Sequence, residues 1–244
     1  MLENLPDNFR AVIFGASGGI GAAFRRALEE DGRCAALYVG GRQLLEEGGK
    51  TRSFTFDLTD EASIAASAEM IGEGGQVHLV LVPTGILHGK DFGPERSWRE
   101  LNAETMTVVF AINTIGPALI AKHALELLPR DEPSIFAALS ARVGSIGDNS
   151  LGGWHSYRAS KAALNMLIRN FSIELKRKKK QSLCVSLHPG TVDTGLSEPF
   201  QRGVPEGKLF TPDYSARQLL SVLCELTPDQ TGQSFAWDGQ VIEW

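Results

Sequence analysis

Six short apolar runs punctuate the chain: "RAVIFG" (10–15), "CAALYVG" (34–40), "RSFTF" (52–56), "VHLVLV" (77–82), "SIFAALS" (134–140) and "SLCVSLH" (182–188). Each is followed by a polar turn and usually by a longer helical pattern, which predicts repeated βαβ units. Most of the runs are apolar at consecutive rather than alternate positions. A strand with one face in water alternates; strands covered by helices on both faces of a parallel sheet do not. The expected fold is therefore α/β: a doubly wound, Rossmann-type, mostly parallel sheet with helices on both faces. No Pro/Ser-rich linker or shift in composition interrupts the pattern, so residues 1–244 read as a single domain.

The formal charge of −5 argues against a protein held to nucleic acid, which needs a basic footprint. Cys34, Cys184 and Cys224 are odd in number, lack metal-ligand spacing and sit inside apolar patterns, as reduced, packed thiols do. Glu3 and Asp7 precede the first apolar run, unlike a secretory signal, and no stretch approaches the ~18 apolar residues of a membrane span. These features predict a cytoplasmic protein without membrane or nucleic-acid partners. The basic run "RKKK" (177–180) closes the long helix that begins near His155 and reads as a solvated face favoured by the helix dipole.

Between the first strand and a helix opening near Gly19, Gly15, Gly19 and Gly21 fall as G-x-x-x-G-x-G, with Gly18 beside them. Two readings compete: a tight turn without a ligand, or a helix N-terminus whose bare N–H groups receive a diphosphate. The βαβ context, Ser17 as a phosphate donor and the "GGR" that ends the next strand favour a dinucleotide, with Ile20 inside the same turn.

This glycine pattern is joined by Tyr157-Arg-Ala-Ser-Lys161, by Asn113 and by "HPGTVDT" (188–194). Together, and over nearly the whole chain, these resemble the short-chain dehydrogenase/reductase family. "GSIGDN…GGWHSYRASKAALN" is most similar to the branch of C-factor-like cell-signalling proteins and sniffer-like carbonyl reductases. One departure is plain: the family's Asn-Asn-Ala-Gly after the fourth strand is "VPTG" (82–85), which keeps Gly85 and loses the side-chain amides. The resemblance implies a nicotinamide cofactor, a small carbonyl or alcohol substrate, and a homodimer or homotetramer; apolar surplus on the helices around 103–128 and 156–176 points to the same self-association.

No acid ends the second strand to accept from an adenosine ribose. Arg42 follows Gly40 and Gly41 instead, a guanidinium fork suited to a 2′-phosphate, and the expected cofactor is NADP(H) rather than NAD(H). In "FTFDLTD" the resemblance gives Asp57, with Leu58, to the adenine; Asp57 equally suits a cap on the next helix. Pro189 and Gly190 end the sixth strand at the carboxyl edge, where open α/β sheets bind ligands, so that Thr191, Val192 and Thr194 meet the nicotinamide carboxamide.

Tyr157 and Lys161 lie four apart in a helical pattern and share a face. A nearby ammonium favours the phenolate, so Lys161 is expected to lower the Tyr157 pKa toward the working range. The resemblance makes Tyr157 the proton donor to the carbonyl and lets Lys161 also hold the nicotinamide ribose. Pro117 has no N–H, which frees the carbonyl of Asn113 four residues earlier; in the family that carbonyl anchors a proton-relay water, and the alternative is a plain kink. The family's substrate-binding serine stands three before a glycine. Here that position is Ala141, which leaves Ser140, one residue earlier, as the candidate if the strand end is irregular, and Ser145 as the fallback. His188 reads as strand-end packing and His155 as turned from Tyr157. "GLSEPFQRGVPEGKLF" (195–210) reads as a lid, with Trp98, Trp154 and Phe200 as apolar walls.

The function expected is NADP(H)-dependent interconversion of a carbonyl and an alcohol. The alternative is an NADP(H)-binding regulatory or cell-signalling protein on the same fold; a nucleotide-sugar epimerase fits less well because the chain is short for its extra domain.

Overall fold

The computed structural model describes residues 2–244. In chain order its elements are β1 (Phe9–Phe14), α1 (Gly19–Glu30), β2 (Cys34–Gly41), β3 (Thr51–Thr55), α2 (Glu61–Glu73), β4 (Leu79–Val82), α3 (Ala103–Phe110) and α4 (Gly116–Ala124). They continue with β5 (Ser134–Leu139), α5 (His155–Lys178), β6 (Ser182–His188), β7 (Thr191–Val192), β8 (Leu209–Phe210), α6 (Pro212–Glu225), β9 (Ser234–Ala236) and β10 (Val241–Ile242). Eight strands form one sheet in the order β10-β9-β6-β5-β4-β1-β2-β3, parallel except for β10, which pairs antiparallel with β9. This is the doubly wound, Rossmann-type sheet.

The consecutive apolar runs have a direct structural cause. Ala11 and Ile13 of β1 enter the core layer that includes residues of α1 and α6, while Val12 and Phe14 enter the layer that includes residues of α2, α4 and α5. β4 and β5 divide in the same way: Leu79 and Leu81 face one layer, Val80 and Val82 the other. A polar residue at either parity would be buried without a partner, at a cost of roughly 1–3 kcal/mol.

Strand order reverses between β1 and β4. The loops leaving β1, β4, β5 and β6 therefore converge at one carboxyl edge, where the neighbouring connections diverge and leave a crevice. The segment from 195 to 210 is more ordered than a plain loop: Glu198–Gly203 forms a 3₁₀ helix, and β8 pairs parallel with β7, pinning the far end of the excursion to the "PGT" strand.

Three details of the helices differ from the expectation. The helical stretch Ala103–Leu127 is, by length and composition, long and apolar enough to cross a membrane, where the sequence pattern predicts no such stretch. The missing N–H of Pro117 is absorbed by a π-helical turn, Ala111–Ile115, in which the Gly116 N–H reaches back to the Ala111 carbonyl, rather than by a plain kink. In the basic run, Lys179 is not simply solvated: its ammonium donates to the carbonyls of Leu125, Glu126 and Leu128 at 2.6–3.2 Å, closing the end of the helical stretch after α4.

Candidate active site

A cavity of about 270 Å³ opens at the carboxyl edge. Its floor comes from the ends of β5 and β6 (Leu139, Ser140, Ala141, His188, Pro189, Gly190), one wall from α5 (Tyr157, Lys161), and another from the loop after β4 (Pro83, Thr84, Gly85, Leu87). Trp154, Leu196, Phe200 and Val204 close the outer side. Trp154 and Phe200 are thus walls as expected; Trp98 is not. It is 66% exposed on the surface, with the Arg99 guanidinium 4.8 Å from its ring, because its 3₁₀ turn lies away from the crevice.

Tyr157 and Lys161, one turn apart, both face this cavity. The Lys161 ammonium donates to the Leu139 carbonyl at 2.8 Å, so the end of β5 fixes its position. The electrostatics depart from the expectation. Burial pushes the Tyr157 phenol up to about 12 and the Lys161 ammonium down to about 7, since each charged form has lost its water. The expected depression of Tyr157 by Lys161 is overridden by desolvation in the protein alone.

Ser140 also lines the cavity. Its amide donates to the Leu187 carbonyl at 2.7 Å, but β5 has already ended at Leu139, so strand alternation no longer separates Ser140 from Ala141, and both border the same space. The Ser140 hydroxyl is buried and has no hydrogen-bond partner among the described residues. Ser145 is excluded from the cavity: its hydroxyl accepts from the Asp148 amide at 3.0 Å and shapes the following loop. His155 does not line the cavity, whereas His188, expected only as strand-end packing, does. Burial pushes its imidazole down to about 4, helped by the Arg142 charge, and Nδ1 is buried without a partner. Its position just before the Pro-Gly at a strand's carboxyl end was the signal available in sequence.

Asn113 is fully buried and acts through its side chain. Oδ1 accepts from the Ile86 amide at 2.7 Å, while Nδ2 donates to the Ile86 carbonyl at 2.9 Å and to Ser160 Oγ at 3.0 Å. Ser160 Oγ in turn donates to the Tyr157 carbonyl. Asn113 therefore bolts the loop after β4 to α5. Gly85 lies beside both groups: a Cβ there would stand 3.4 Å from Asn113 Oδ1 and from Lys161 Nζ, an ordinary contact.

The glycine turn answers its two readings separately. Gly15 has φ +109°, and a Cβ on Gly21 would lie 2.1 Å from the Gly15 carbonyl oxygen, so these two serve the turn's own geometry. A Cβ on Gly19 would meet Thr194, and one on Gly40 the Phe54 ring. Gly18 is different: its φ is ordinary, and a Cβ would find only the Gly15 oxygen at 3.8 Å. Gly18 sits at the N-cap of α1, and no side chain caps that helix, so its first amides have no side-chain acceptor. Ile20 and Thr194 extend the surface from this turn into the cavity, alongside Thr191 and Val192.

Ser17 Oγ lies 3.6 Å from where a Gly41 Cβ would stand, at the carboxyl end of β2; Ser17 and the following Arg42 are both exposed. Asp57 does not cap α2, because Asp60 does so by accepting from the Ala62 amide. Asp57 Oδ1 instead accepts from the Thr59 hydroxyl and amide at 2.7 and 2.8 Å, bonds that hold its carboxyl below the usual carboxylate range with a smaller contribution from Arg42. The Leu58 side chain packs across Gly116 of α4.

Residues 10–204 match the short chain dehydrogenase family. The chain is 31% identical over 237 residues to a 1-hydroxy-2-glutathionyl-2-methyl-3-butene dehydrogenase of Rhodococcus sp. (strain AD45), covering 96% of this chain and 98% of that protein. It is 35% identical over 139 residues to C-signal of Myxococcus xanthus, covering 57% of this chain and 78% of that one. Among solved structures, NADPH-bound carbonyl reductase from chicken fatty liver superposes with a TM-score of 0.84 at 27% identity, covering 99% and 97% of the two chains. The carbonyl reductase Sniffer of D. melanogaster shares the fold, with a TM-score of 0.82 at 22% identity over 98% and 100%.

Proposed function

This chain belongs to the short-chain dehydrogenase family of oxidoreductases, and from that membership we propose that it is an NADP(H)-dependent reductase that interconverts a small carbonyl compound and its alcohol. The observation that carries this reading is the meeting of three groups in one cavity: the buried Tyr157 phenol, the Lys161 ammonium and the unpartnered Ser140 hydroxyl.

The residues present fit a dinucleotide. The uncapped α1 N-terminus with open Gly18 suits a diphosphate, and Ser17 with Arg42 suits a 2′-phosphate; Asp57 flanks the adenine end. Thr191, Val192 and Thr194 border the nicotinamide end, where Lys161 would hold the ribose. Bound there, NADPH supplies hydride for the carbonyl carbon. Tyr157, protonated at neutral pH because burial holds its pKa up at about 12, donates a proton to the carbonyl oxygen. Ser140 Oγ, with no other partner, donates to the same oxygen and orients it. Lys161 favours the resulting phenolate, and the apolar walls Leu87, Trp154, Leu196 and Phe200 exclude water. The test is incubation of the purified protein with NADPH and a panel of aldehydes and ketones: substrate-dependent loss of NADPH absorbance is expected.

A second reading keeps the cofactor site and little turnover. Ala141 in the family's usual serine position favours it, as does the similarity to C-signal. NADPH binding without turnover of any carbonyl in the panel would select it. Exposed Val108 and Ile115 on the α3–α4 stretch and Ile173 on α5 support self-association, for which light scattering is the direct check.

A further inference from the structure

We propose that Glu95 is a positioning residue for Tyr157: its buried carboxylate caps α5 from the loop before α3 and fixes the helical turn that carries the phenol. This rests on the reading of Tyr157 as the proton donor.

The chain enters α5 through three successive residues of left-handed backbone, Gly152, Gly153 and Trp154, with φ of +65°, +66° and +51°. Trp154 occupies the N-cap position, yet its side chain accepts no helix amide, and the first turn carries no acid. A helix start of that kind leaves amides without partners. Glu95 supplies them. Its Oε2 accepts from the Ser156 amide at 3.1 Å, its Oε1 accepts from the Ser156 hydroxyl, and its backbone carbonyl accepts from the Trp154 amide at 2.5 Å. One residue thus holds both sides of His155, and Tyr157 comes next.

Glu95 is 4% exposed and forms no ion pair with a basic side chain among the described residues. Its charge is balanced by the Ser156 donors and the positive end of α5. The displacement of the cap has a reason in the site. A short polar residue at 154 would satisfy the helix locally; the tryptophan there instead packs its ring 6.3 Å from Tyr157 and 5.3 Å from Phe200, building the cavity wall. With position 154 used as wall, capping falls to Glu95. Lys161 does not depend on this clamp, because the Leu139 carbonyl holds it one turn further along. Loss of Glu95 therefore separates the two residues: Tyr157 loosens and Lys161 stays.

The experiment is Glu95→Ala in the full-length protein, with Glu95→Gln as the conservative variant. Ångström-scale misplacement of a catalytic group costs up to about 100-fold, so Glu95→Ala is expected to lower kcat by about 10- to 100-fold while the Kd for NADPH stays within about twofold. Glu95→Gln keeps an acceptor for the Ser156 amide and is expected to recover kcat to within about threefold of the unmodified protein. A kcat for Glu95→Ala within about twofold of the unmodified protein overturns the proposal; so does a parallel fall in NADPH affinity, which marks general damage. Hydrogen exchange reads the clamp without any substrate: amides 154–158 should exchange faster in Glu95→Ala while 161–175 stay protected, even if the chain turns over no carbonyl. Uniform or unchanged exchange along α5 refutes the clamp. If Glu95→Ala does not fold, Ser156→Ala removes the hydroxyl arm alone, and it too must speed exchange at 154–158 without weakening NADPH binding.

Discussion

Replacing Asn113 by alanine removes three hydrogen bonds at once and leaves the groups behind them in place. The Ile86 amide loses its acceptor at 2.7 Å, the Ile86 carbonyl its donor at 2.9 Å, and Ser160 Oγ its donor at 3.0 Å. An unsatisfied buried group costs about 1–3 kcal/mol. Ile86 is only partly buried, so water recovers some of that, and Ser160 Oγ keeps its bond to the Tyr157 carbonyl. The sum is then about 2–4 kcal/mol. For a chain of 244 residues each kcal/mol moves the melting temperature by about 2–4 °C, which gives a fall of about 4–16 °C. A thermal melt followed by circular dichroism measures this directly, and Asn113→Asp, which can still accept from the Ile86 amide, should fall between the two. The same variant should lower kcat, because the loop carrying Gly85 is no longer held against Lys161. An Asn113→Ala melt within about 1 °C of the unmodified protein would refute the view of Asn113 as a side-chain bolt and return it to a purely backbone role.

Arg42→Ala should weaken NADPH binding by about 10- to 100-fold, the worth of a charged bidentate pair, and leave NADH binding unchanged; isothermal titration with both cofactors decides it, and equal NADPH and NADH affinity in the unmodified protein would remove the basis for the assignment. Tyr157→Phe should abolish carbonyl reduction with NADPH affinity nearly intact, whereas Lys161→Ala should damage both; steady-state kinetics with cofactor titration separates them. The pH dependence of stability has a defined sign. Lys161 titrates near 7 in the folded chain against 10.5 as its ordinary value, so the unfolded state binds more protons between those limits, and its stabilising contribution is present above about 10.5 and lost as the pH falls through 7. The rise in melting temperature from pH 7 to 10 should accordingly be smaller in Lys161→Met; an identical rise in both proteins would contradict the buried, weakly basic ammonium.

What could be read from the sequence follows the length scale of each signal. β1, β4 and β5 are the plainest in the sequence because both faces of each strand are buried, which makes four or five consecutive residues apolar; β3, with Thr51, Arg52, Ser53 and Thr55 around Phe54, is half exposed and far weaker as a pattern. β7, β8, β9 and β10 span two or three residues each, too few for any periodicity to register; β9 and β10 depend on pairing at the edge of the main sheet, and β7 and β8 on each other. Asp57 and Asp60 illustrate a finer limit. Both are aspartates at the end of "FTFDLTD", and only the position of the first α2 amides assigns the cap to Asp60.

The site divides along the same line. Tyr157 and Lys161 were legible because their relation is local, one helical turn. Their proton affinities were not, because those are set by how completely the cavity strips water from each group, and adjacency in sequence says nothing of that. Asn113 and Glu95 reach across the fold, to Ser160 and Ser156 respectively, over separations of 47 and 61 residues. Both act on the first turns of α5. The two partners they grip, Ser156 and Ser160, flank Tyr157 in "HSYRAS", so the sequence displays the anchored serines while the anchors lie in segments with no local mark of the role. Tyr157 is thereby held from two directions: by the loop after β4 through Glu95, and by the π turn between α3 and α4 through Asn113. A helix start held by only one of them would still be free to pivot about that point, and a proton donor needs its oxygen fixed within a fraction of an ångström of the group it protonates.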